Sequence, residues 1–137
     1  MREIEPCLPY LDLFIPSYDE AHMLSGKDTP EDMADVFLGK GVPLCVIKMG
    51  GEGCYIKDNK GGAFLVPAFG GIDVKDTTGA GDSFVAGFLT GVLKGWDNLS
   101  CGNFANAVGA LCVSQMGTTA GIRSLEDTLA FMREHGR

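Results

Sequence analysis

Basic residues are scarce in this sequence. There are 11 lysines and arginines against 18 aspartates and glutamates, which gives a formal net charge of -7 and an isoelectric point near 4.6. An acidic protein repels the phosphates of nucleic acids and of anionic membranes. We therefore expect no nucleic-acid partner and no membrane partner, and any phosphate that binds must be recognised by a local site.

Long apolar runs and paired cysteines are also missing. No unbroken apolar stretch approaches the roughly 18 residues that span a bilayer, and no basic segment leads into an apolar N-terminal core, so we expect a cytoplasmic protein. The 5 cysteines are odd in number and never spaced as C-x-x-C, unlike those of disulfide-rich or zinc-binding domains. They are predicted to be free thiols.

The sequence lacks repeats, low-complexity tracts and any linker long enough to separate domains. With 137 residues and 45% apolar content, residues 1–137 can form a single domain with its own core. Strand and helix patterns alternate along the chain. This order predicts an α/β fold with three α/β/α layers and a mostly parallel sheet.

Short apolar runs predict the strands, and capping residues followed by apolar residues at helical spacing predict the helices. The predicted strands are residues 11–15, 44–48, 54–57, 63–66 and 72–74. The predicted helices are residues 17–24, residues 28–40, a segment that begins near residue 79 or 80, a segment from residue 97 or 98 to about 113, and residues 124 to about 134. The strands at 54–57 and 63–66 are expected to form an antiparallel hairpin.

A polar turn with two glycines precedes the apolar residues 83–93. Gly79 and Gly81 flank Ala80, so their backbone amides can converge on one point, and a helix start adds unpaired amides and a partial positive charge. This arrangement predicts an anion site for a phosphate oxygen. Asp82 follows in the first helical turn, where a carboxylate can take a proton from an attacking hydroxyl. An ordinary helix start, capped by one of the two preceding threonines, explains the same residues and stays open.

Other glycine motifs fit this turn less well. A dinucleotide-binding G-x-G-x-x-G fingerprint requires a glycine where Phe84 stands, and a Walker A loop requires Lys-Ser or Lys-Thr after a glycine. A calcium loop requires alternating oxygen ligands with a glycine and a terminal glutamate, which the residues after Asp76 do not provide.

The nine residues from Asp76 to Phe84, DTTGAGDSF, resemble the C-terminal signature of the ribokinase, or phosphofructokinase-B, family of sugar and nucleoside kinases. The resemblance implies a ribokinase-like fold and ATP and Mg²⁺ as cofactors. It also implies phosphoryl transfer to a hydroxyl of a sugar or nucleoside acceptor, with Asp82 as the catalytic base.

The same resemblance assigns roles to the rest of the signature. It implies that the amides of Gly79, Ala80 and Gly81 form the anion hole for the transferred phosphate. The family also binds a monovalent cation beside this loop, which makes Asp76 and the carbonyl of Thr78 candidate ligands for K⁺.

A second element of the family pattern lies near the start of the chain. The segment from Ser17 to Ala21, SYDEA, is similar to the family's Asn-x-x-Glu element, with Ser17 in place of the asparagine. In the family this glutamate helps to place the metal and the phosphate, so Glu20 is an indirect Mg²⁺ candidate. Ser17 and Glu20 also have the spacing of a capping box, which is the structural alternative.

The resemblance places further residues near the nucleotide. Lys48, Gly50 and Gly53 match positions that line the phosphate channel, although turn geometry alone also explains the two glycines. Asn106 and the turn at residues 115–121 match positions near the adenine and the cation. A buried asparagine whose amide is satisfied by backbone groups is the competing interpretation of Asn106.

Members of the family are longer than this chain, and their sugar-binding residues belong to the N-terminal half. The resemblance covers nearly all 137 residues but only the catalytic and nucleotide half of the family pattern. Three interpretations follow: part of a sugar kinase completed by an N-terminal half, a stand-alone nucleotide- or phosphate-binding module, or an inert α/β domain. Loss of the neighbouring strands would expose a sheet edge and apolar surface, so homo-oligomers are also expected.

Overall fold

A computed structural model describes all residues from Met1 to Arg137. The chain divides into two units: Met1–Gly50 with Cys54–Leu65, and Gly51–Gly53 with Val66–Arg137. The interpretation of residues 1–137 as a single domain stays a prediction. None of the helices is both long enough and apolar enough to cross a membrane.

The first unit opens with a 3-10 helix at Glu5–Tyr10 and two capped α-helices. Helix α1 (Tyr18–Ser25) begins at a capping box in which Ser17 and Glu20 bond each other's backbone amides, and it ends at Gly26, whose φ is 69°. Helix α2 (Pro30–Gly39) is capped by the Thr29 side chain and has a proline in its first turn. Local sequence therefore fixes both helix starts, as predicted.

The sheet has three strands in the order β1–β2–β3: β1 (Leu44–Lys48), β2 (Cys54–Asp58) and β3 (Ala63–Val66). Strands β1 and β2 pair antiparallel, with Leu44 opposite Asp58 and Lys48 opposite Cys54. Only residues 59–62 join β2 to β3, and a connection that short can link only antiparallel strands. The hairpin prediction is therefore confirmed.

This chain contains less parallel strand pairing than the prediction of a mostly parallel sheet requires. The residues expected as a strand at 11–15 form one isolated parallel bridge, from Phe14 to Cys45, and a second bridge joins Ser17 to Lys48. Pro16 lies between the two bridged residues and has no amide hydrogen, so a continuous ladder cannot form there. The core of this unit lies between the helices and β1 and includes Met33, Phe37 and Ile47.

The second unit contains three helices: α3 (Ala80–Leu93), α4 (Asn98–Val113) and α5 (Leu125–Glu134). Asp97 caps α4 and Ser124 caps α5, as predicted. Helices α3 and α4 approach closely at two glycines of α3. A Cβ atom on Gly87 would lie 2.9 Å from the Cα of Ala105, and one on Gly91 would lie 2.7 Å from the Sγ of Cys101.

The prediction of a strand at residues 72–74 is wrong. This segment lies outside every strand, and the backbone amides of Lys75 and Asp76, which follow it, donate to the carbonyl of Val113 at the end of α4. A segment this short becomes a strand only where a neighbouring strand can pair with it, and here a helix terminus takes that place. The 5 cysteines are free thiols, as predicted.

Candidate active site

The start of helix α3 presents backbone amides that have no partner in the chain. Gly79 is the N-cap, with φ of 81°, and no side chain caps the helix. The amide of Ala80 donates to the Thr77 carbonyl at 3.2 Å, whereas the amides of Gly79 and Gly81 have no acceptor within the protein. The geometry therefore leaves two of the three predicted anion-hole donors available, while the amide of Ala80 closes the turn.

Close packing requires glycine at position 79. A Cβ atom there would lie 2.9 Å from the carbonyl oxygen and 3.0 Å from the Cα of Thr118, in addition to the positive φ. Because side chains other than glycine are strained in this backbone region, the turn before α3 depends on this residue.

The Asp82 side chain lies in the first turn of α3, next to these amides. It is exposed, and its carboxylate has no hydrogen bond or ion pair within the chain. Neither preceding threonine caps the helix through its side chain, so the alternative of an ordinary capped helix start does not describe this turn. A carboxylate beside free amides at a helix N-terminus can hold a hydroxyl proton close to a bound anion.

The Asp76 carboxylate joins the signature loop, which we define as residues 76–82, to the turn at residues 115–121. Its Oδ1 accepts the amide hydrogen of Thr78, and its Oδ2 accepts that of Gly117, both at 2.9 Å. The Thr78 hydroxyl and these two amides lower the pKa of Asp76 from its ordinary value. The candidate cation ligands Asp76 and Thr78 thus lie together, and the Asp76 carboxylate already accepts a hydrogen bond from each of the two loops.

Cys112 is a neighbour of the signature loop that spacing alone does not identify. Its thiol lies 3.7 Å from the Thr78 carbonyl oxygen and 3.5 Å from that of Thr118. Gly117 and Thr118 likewise contact the signature loop or Cys112 only because tertiary packing brings them together. A glycine at position 117, where φ is 92°, is the one local signal for this turn.

Glu20 and Lys48 lie in the first unit, at the end of β1. The Glu20 Oε2 accepts the Ser17 amide at 2.7 Å, and Ser17 bridges to Lys48. The Ser17 amide and hydroxyl, together with the nearby charge of Lys48, lower the pKa of Glu20. Glu20 is exposed, so its capping role leaves the carboxylate accessible to solvent.

The two glycines of the predicted phosphate channel differ in their surroundings. A Cβ atom on Gly53 would overlap the Val66 carbonyl oxygen, so close backbone packing accounts for that glycine. Gly50 has φ of 57°, is exposed, and has open space where a Cβ atom would stand. The positive φ of the turn favours glycine at both positions, and only Gly50 has open space at its Cβ position.

Asn106 is buried in α4, and its amide nitrogen donates to two carbonyls, those of Val66 at 3.0 Å and Pro67 at 3.1 Å. The two amide hydrogens are therefore used inside the chain. This is the arrangement that the competing structural interpretation expects.

Without a bound nucleotide, the residues of the candidate site are better suited to bind a phosphate than to bind a metal ion. The free amides of Gly79 and Gly81 suit a phosphate oxygen. No group of three His, Cys, Asp or Glu side chains is placed to bind a metal ion. Mg²⁺ is usually bound through one or two carboxylates and the phosphates of its nucleotide, so the exposed carboxylate of Glu20 is compatible with an indirect role.

Comparisons with known proteins give consistent matches. The model of the family described as pfkB family carbohydrate kinase matches residues 1–125. The 2-dehydro-3-deoxygluconokinase of Bacillus subtilis (strain 168) is 38% identical over 122 residues, which are 88% of this chain and 37% of that enzyme.

Solved structures show the same likeness. A candidate ribokinase II from E. coli, in complex with ATP and Mg²⁺, matches with a TM-score of 0.88 and 30% identity over 98% of this chain and 43% of that one. Arabidopsis thaliana ribokinase complexed with ribose and ATP matches with a TM-score of 0.86 and 25% identity over 94% of this chain and 43% of that one. The ribokinase-like α/β fold class is therefore confirmed, and the chain spans less than half the length of these proteins.

Proposed function

Because the chain belongs to the pfkB family of carbohydrate kinases, we propose that it takes part in the transfer of the γ-phosphoryl group of ATP to a hydroxyl of a sugar or sugar-like acceptor. The family match covers residues 1–125, which include every residue assigned to the candidate site. The acceptor class rests on relatives whose names give sugar acids and ribose.

The single observation that carries the proposal is the start of α3. An exposed Asp82 carboxylate without a partner lies in the same turn as the free amides of Gly79 and Gly81. Phosphoryl transfer leaves little covalent work for the protein, so positioned donors and one carboxylate account for most of what the residues must do.

In the proposed mechanism, the Gly79 and Gly81 amides bind oxygens of the transferred phosphate and offset their negative charge. The Asp82 carboxylate accepts the proton of the acceptor hydroxyl. Because an aspartate carboxylate is a weak base, this proton moves late, when the hydroxyl oxygen is already bonding to phosphorus. We assign Lys48 and Gly50 to the nucleotide phosphates, with Gly53 shaping the turn between β1 and β2.

The proposed cofactors are ATP and Mg²⁺, which occur together in the E. coli relative. The metal would neutralise charge on the phosphates, and Glu20 would act on it indirectly. A K⁺ ion at Asp76 and the Thr78 carbonyl is part of the proposal. Asn106 is the weakest of the proposed nucleotide contacts, since its amide nitrogen is already used by backbone carbonyls.

The decisive variant is Asp82→Asn. It should reduce sugar-dependent ATP consumption by at least the roughly 100-fold that positioned acid–base groups contribute, and it should leave the dissociation constant of Mg-ATP within about threefold. Turnover is measured with a coupled ADP assay on a sugar panel, and nucleotide binding by isothermal titration calorimetry.

The matched control is Asp73→Asn, which removes the same charge from an exposed residue outside the signature loop. It should leave both quantities unchanged. Unaltered turnover in Asp82→Asn would refute the role of Asp82 as base.

The short length of the chain favours a second candidate function. The chain spans 37% of the length of the B. subtilis relative, so it could bind nucleotide or phosphate without an acceptor site and without turning over alone. Saturable Mg-ATP binding with no phosphoryl transfer to any sugar would identify this case. Absence of binding as well would exclude both candidates.

A further inference from the structure

The amide of Asn106 presents a free hydrogen-bond acceptor, although the residue is only 7% exposed. Its nitrogen donates to the carbonyls of Val66 and Pro67, which uses both amide hydrogens. Because only the nitrogen of a side-chain amide can donate, these two bonds fix which end of the group is the oxygen. The oxygen, Oδ1, has no partner within the chain, and no fully buried side-chain oxygen lacks one, so Oδ1 is open to solvent.

The guanidinium group of Arg137 bonds the same backbone segment. Its Nη1 donates to the Pro67 carbonyl, which Asn106 also uses, and its Nη2 donates to the Ala68 carbonyl at 2.9 Å. The guanidinium carbon lies 4.3 Å from the centre of the Phe69 ring. A planar group with several fixed donors is suited both to adjacent carbonyls and to an aromatic face. Arg137 thus holds one of the two carbonyls that orient the Asn106 amide.

Backbone packing restricts this segment further. A Cβ atom on Gly53 would overlap the Val66 carbonyl oxygen and would lie 2.6 Å from the Ala68 amide nitrogen. Residues 66–68 are therefore held by a neighbouring backbone and by the side chains of Asn106 and Arg137. Arg137 is exposed, so its contact can be removed by substitution without opening the core.

The free oxygen of Asn106 determines which chemical groups can pair with it. An amide oxygen accepts hydrogen bonds and cannot donate them, so it pairs with an amino group and is left unpaired against a carbonyl oxygen. Adenine carries an exocyclic amino group where hypoxanthine carries a carbonyl oxygen. A nearly buried polar group disfavours the ligand that leaves it without a partner.

We propose that Arg137 is a positioning residue that makes the site select the base of the nucleotide. By holding the Pro67 and Ala68 carbonyls, Arg137 keeps the Asn106 nitrogen turned towards the backbone and the Asn106 oxygen turned towards the base. The chain then prefers a purine with an exocyclic amino group in this position. This inference rests on the proposed function, in which Asn106 lies near the nucleotide.

The test measures the dissociation constants of Mg-ATP and Mg-ITP for the full chain by isothermal titration calorimetry. ITP carries hypoxanthine in place of adenine and the same ribose and phosphates, so the ratio of the two constants isolates the base. The unsubstituted chain should bind Mg-ATP about fivefold or more tightly than Mg-ITP, as expected for one neutral hydrogen bond. Arg137→Ala should lower this ratio by about threefold, chiefly by weakening Mg-ATP.

Three further variants separate this role from others. Arg137→Lys keeps the positive charge but has no planar fork for two carbonyls, so it should also lower the ratio. Arg133→Ala removes the same charge from an exposed residue of α5 and should leave the ratio unchanged. Asn106→Ala should abolish the preference, and Arg137→Ala in that background should change the ratio no further. Circular dichroism confirms that each variant is folded.

Four results would overturn the inference. Equal affinities of the unsubstituted chain for the two nucleotides would show that the Asn106 oxygen does not select the base. Equal weakening of both nucleotides by Arg137→Ala would show a merely structural role. An unchanged ratio in Arg137→Lys would show that only the charge matters. Absence of binding of either nucleotide would refute the proposed function itself, and the inference with it.

Discussion

The Asp76 carboxylate shows how one residue can organise a site without reacting in it. It accepts amide hydrogens from Thr78 in the signature loop and from Gly117 in the turn that follows α4. Hydrogen bonds to the charged form stabilise that form, which is why the pKa of Asp76 lies below its ordinary value. The ionised carboxylate therefore stabilises the folded arrangement of both loops.

This lowered pKa makes the stability conferred by Asp76 depend on pH. A carboxyl group with a depressed folded-state pKa stabilises the protein above its unfolded pKa, and this contribution is lost as the pH falls through the folded value. Asp76→Asn should therefore lower the melting temperature at pH 7. The difference from the unsubstituted protein should shrink as the pH falls through the ordinary pKa range of aspartate and vanish once the folded-state carboxyl of Asp76 is itself protonated.

Differential scanning calorimetry from pH 3 to pH 7 measures this dependence. Asp73→Asn serves as the control, because Asp73 is exposed and accepts no hydrogen bond within the chain. A difference between Asp76→Asn and the unsubstituted protein that stays constant across the range would contradict the role given to the carboxylate.

Contacts between residues close in sequence could be predicted, and contacts between distant residues could not. The capping box of Ser17 and Glu20 spans three residues and follows from their types alone. The bond from Gly117 to Asp76 joins residues 41 positions apart and exists only after α4 has packed. The contacts of Cys112 with the carbonyls of Thr78 and Thr118 were missed for the same reason.

At the scale of elements, glycines decide how closely α3 and α4 approach. Gly87 of α3 faces the backbone of Ala105, where a Cβ atom would come within 2.9 Å of the Cα. Gly109 of α4 has no such constraint, because the nearest atom to its Cβ position is the Ala80 carbonyl oxygen at 3.9 Å. The same substitution should therefore have opposite effects on the two helices.

We expect Gly109→Ala to raise the free energy of unfolding by about 0.5–1 kcal/mol, because alanine restricts the unfolded chain and favours the helix. Gly87→Ala should lower it by about 1–3 kcal/mol, because the helices must separate to admit the methyl group. Urea unfolding followed by circular dichroism measures both changes. Equal effects of the two substitutions would show that α3 and α4 are not packed through Gly87.

Strand predictions were less accurate than helix predictions because a strand needs a partner. The five helices begin at or within two residues of the expected positions, since their caps are local. Residues 72–74 have a strand-like pattern, but the chain offers them a helix terminus in place of a strand edge. Residues 11–15 pair with β1 only at Phe14, and the next bridge is at Ser17 beyond Pro16.

At the scale of the whole molecule, burial separates the cysteines into two classes. Cys7 is exposed, and the other four are buried. Burial raises the pKa of Cys45 and of Cys54 to about 12, which removes the reactive thiolate at neutral pH. The packed chain should thus hide most of its thiols from solvent.

A chromogenic disulfide reagent at neutral pH should label one thiol rapidly in the folded protein and 5 after unfolding in guanidinium chloride. We assign the rapid phase to Cys7. Cys7→Ser should therefore abolish this phase and reduce by one the number of thiols that are labelled after unfolding. Rapid labelling of a second thiol in the folded protein would show that a buried cysteine is accessible.

The family could be identified from the sequence because its signature is short and contiguous. Nine residues from Asp76 to Phe84 carry most of the resemblance, and the match over residues 1–125 confirms it. The sheet pairing was harder to predict, because it depends on which strands the chain contains. In this chain β1 and β2 pair antiparallel, and parallel pairing is limited to isolated bridges.

The segment between β3 and the signature loop is tied to α4 at both of its ends. Asn106 holds the carbonyls of Val66 and Pro67, and one helix residue seven positions later, Val113, accepts the amides of Lys75 and Asp76. Gly70 and Gly71, midway between these anchors, have open space around them. One helix thus sets the spacing of the two anchors, and the second anchor leads directly into the signature loop.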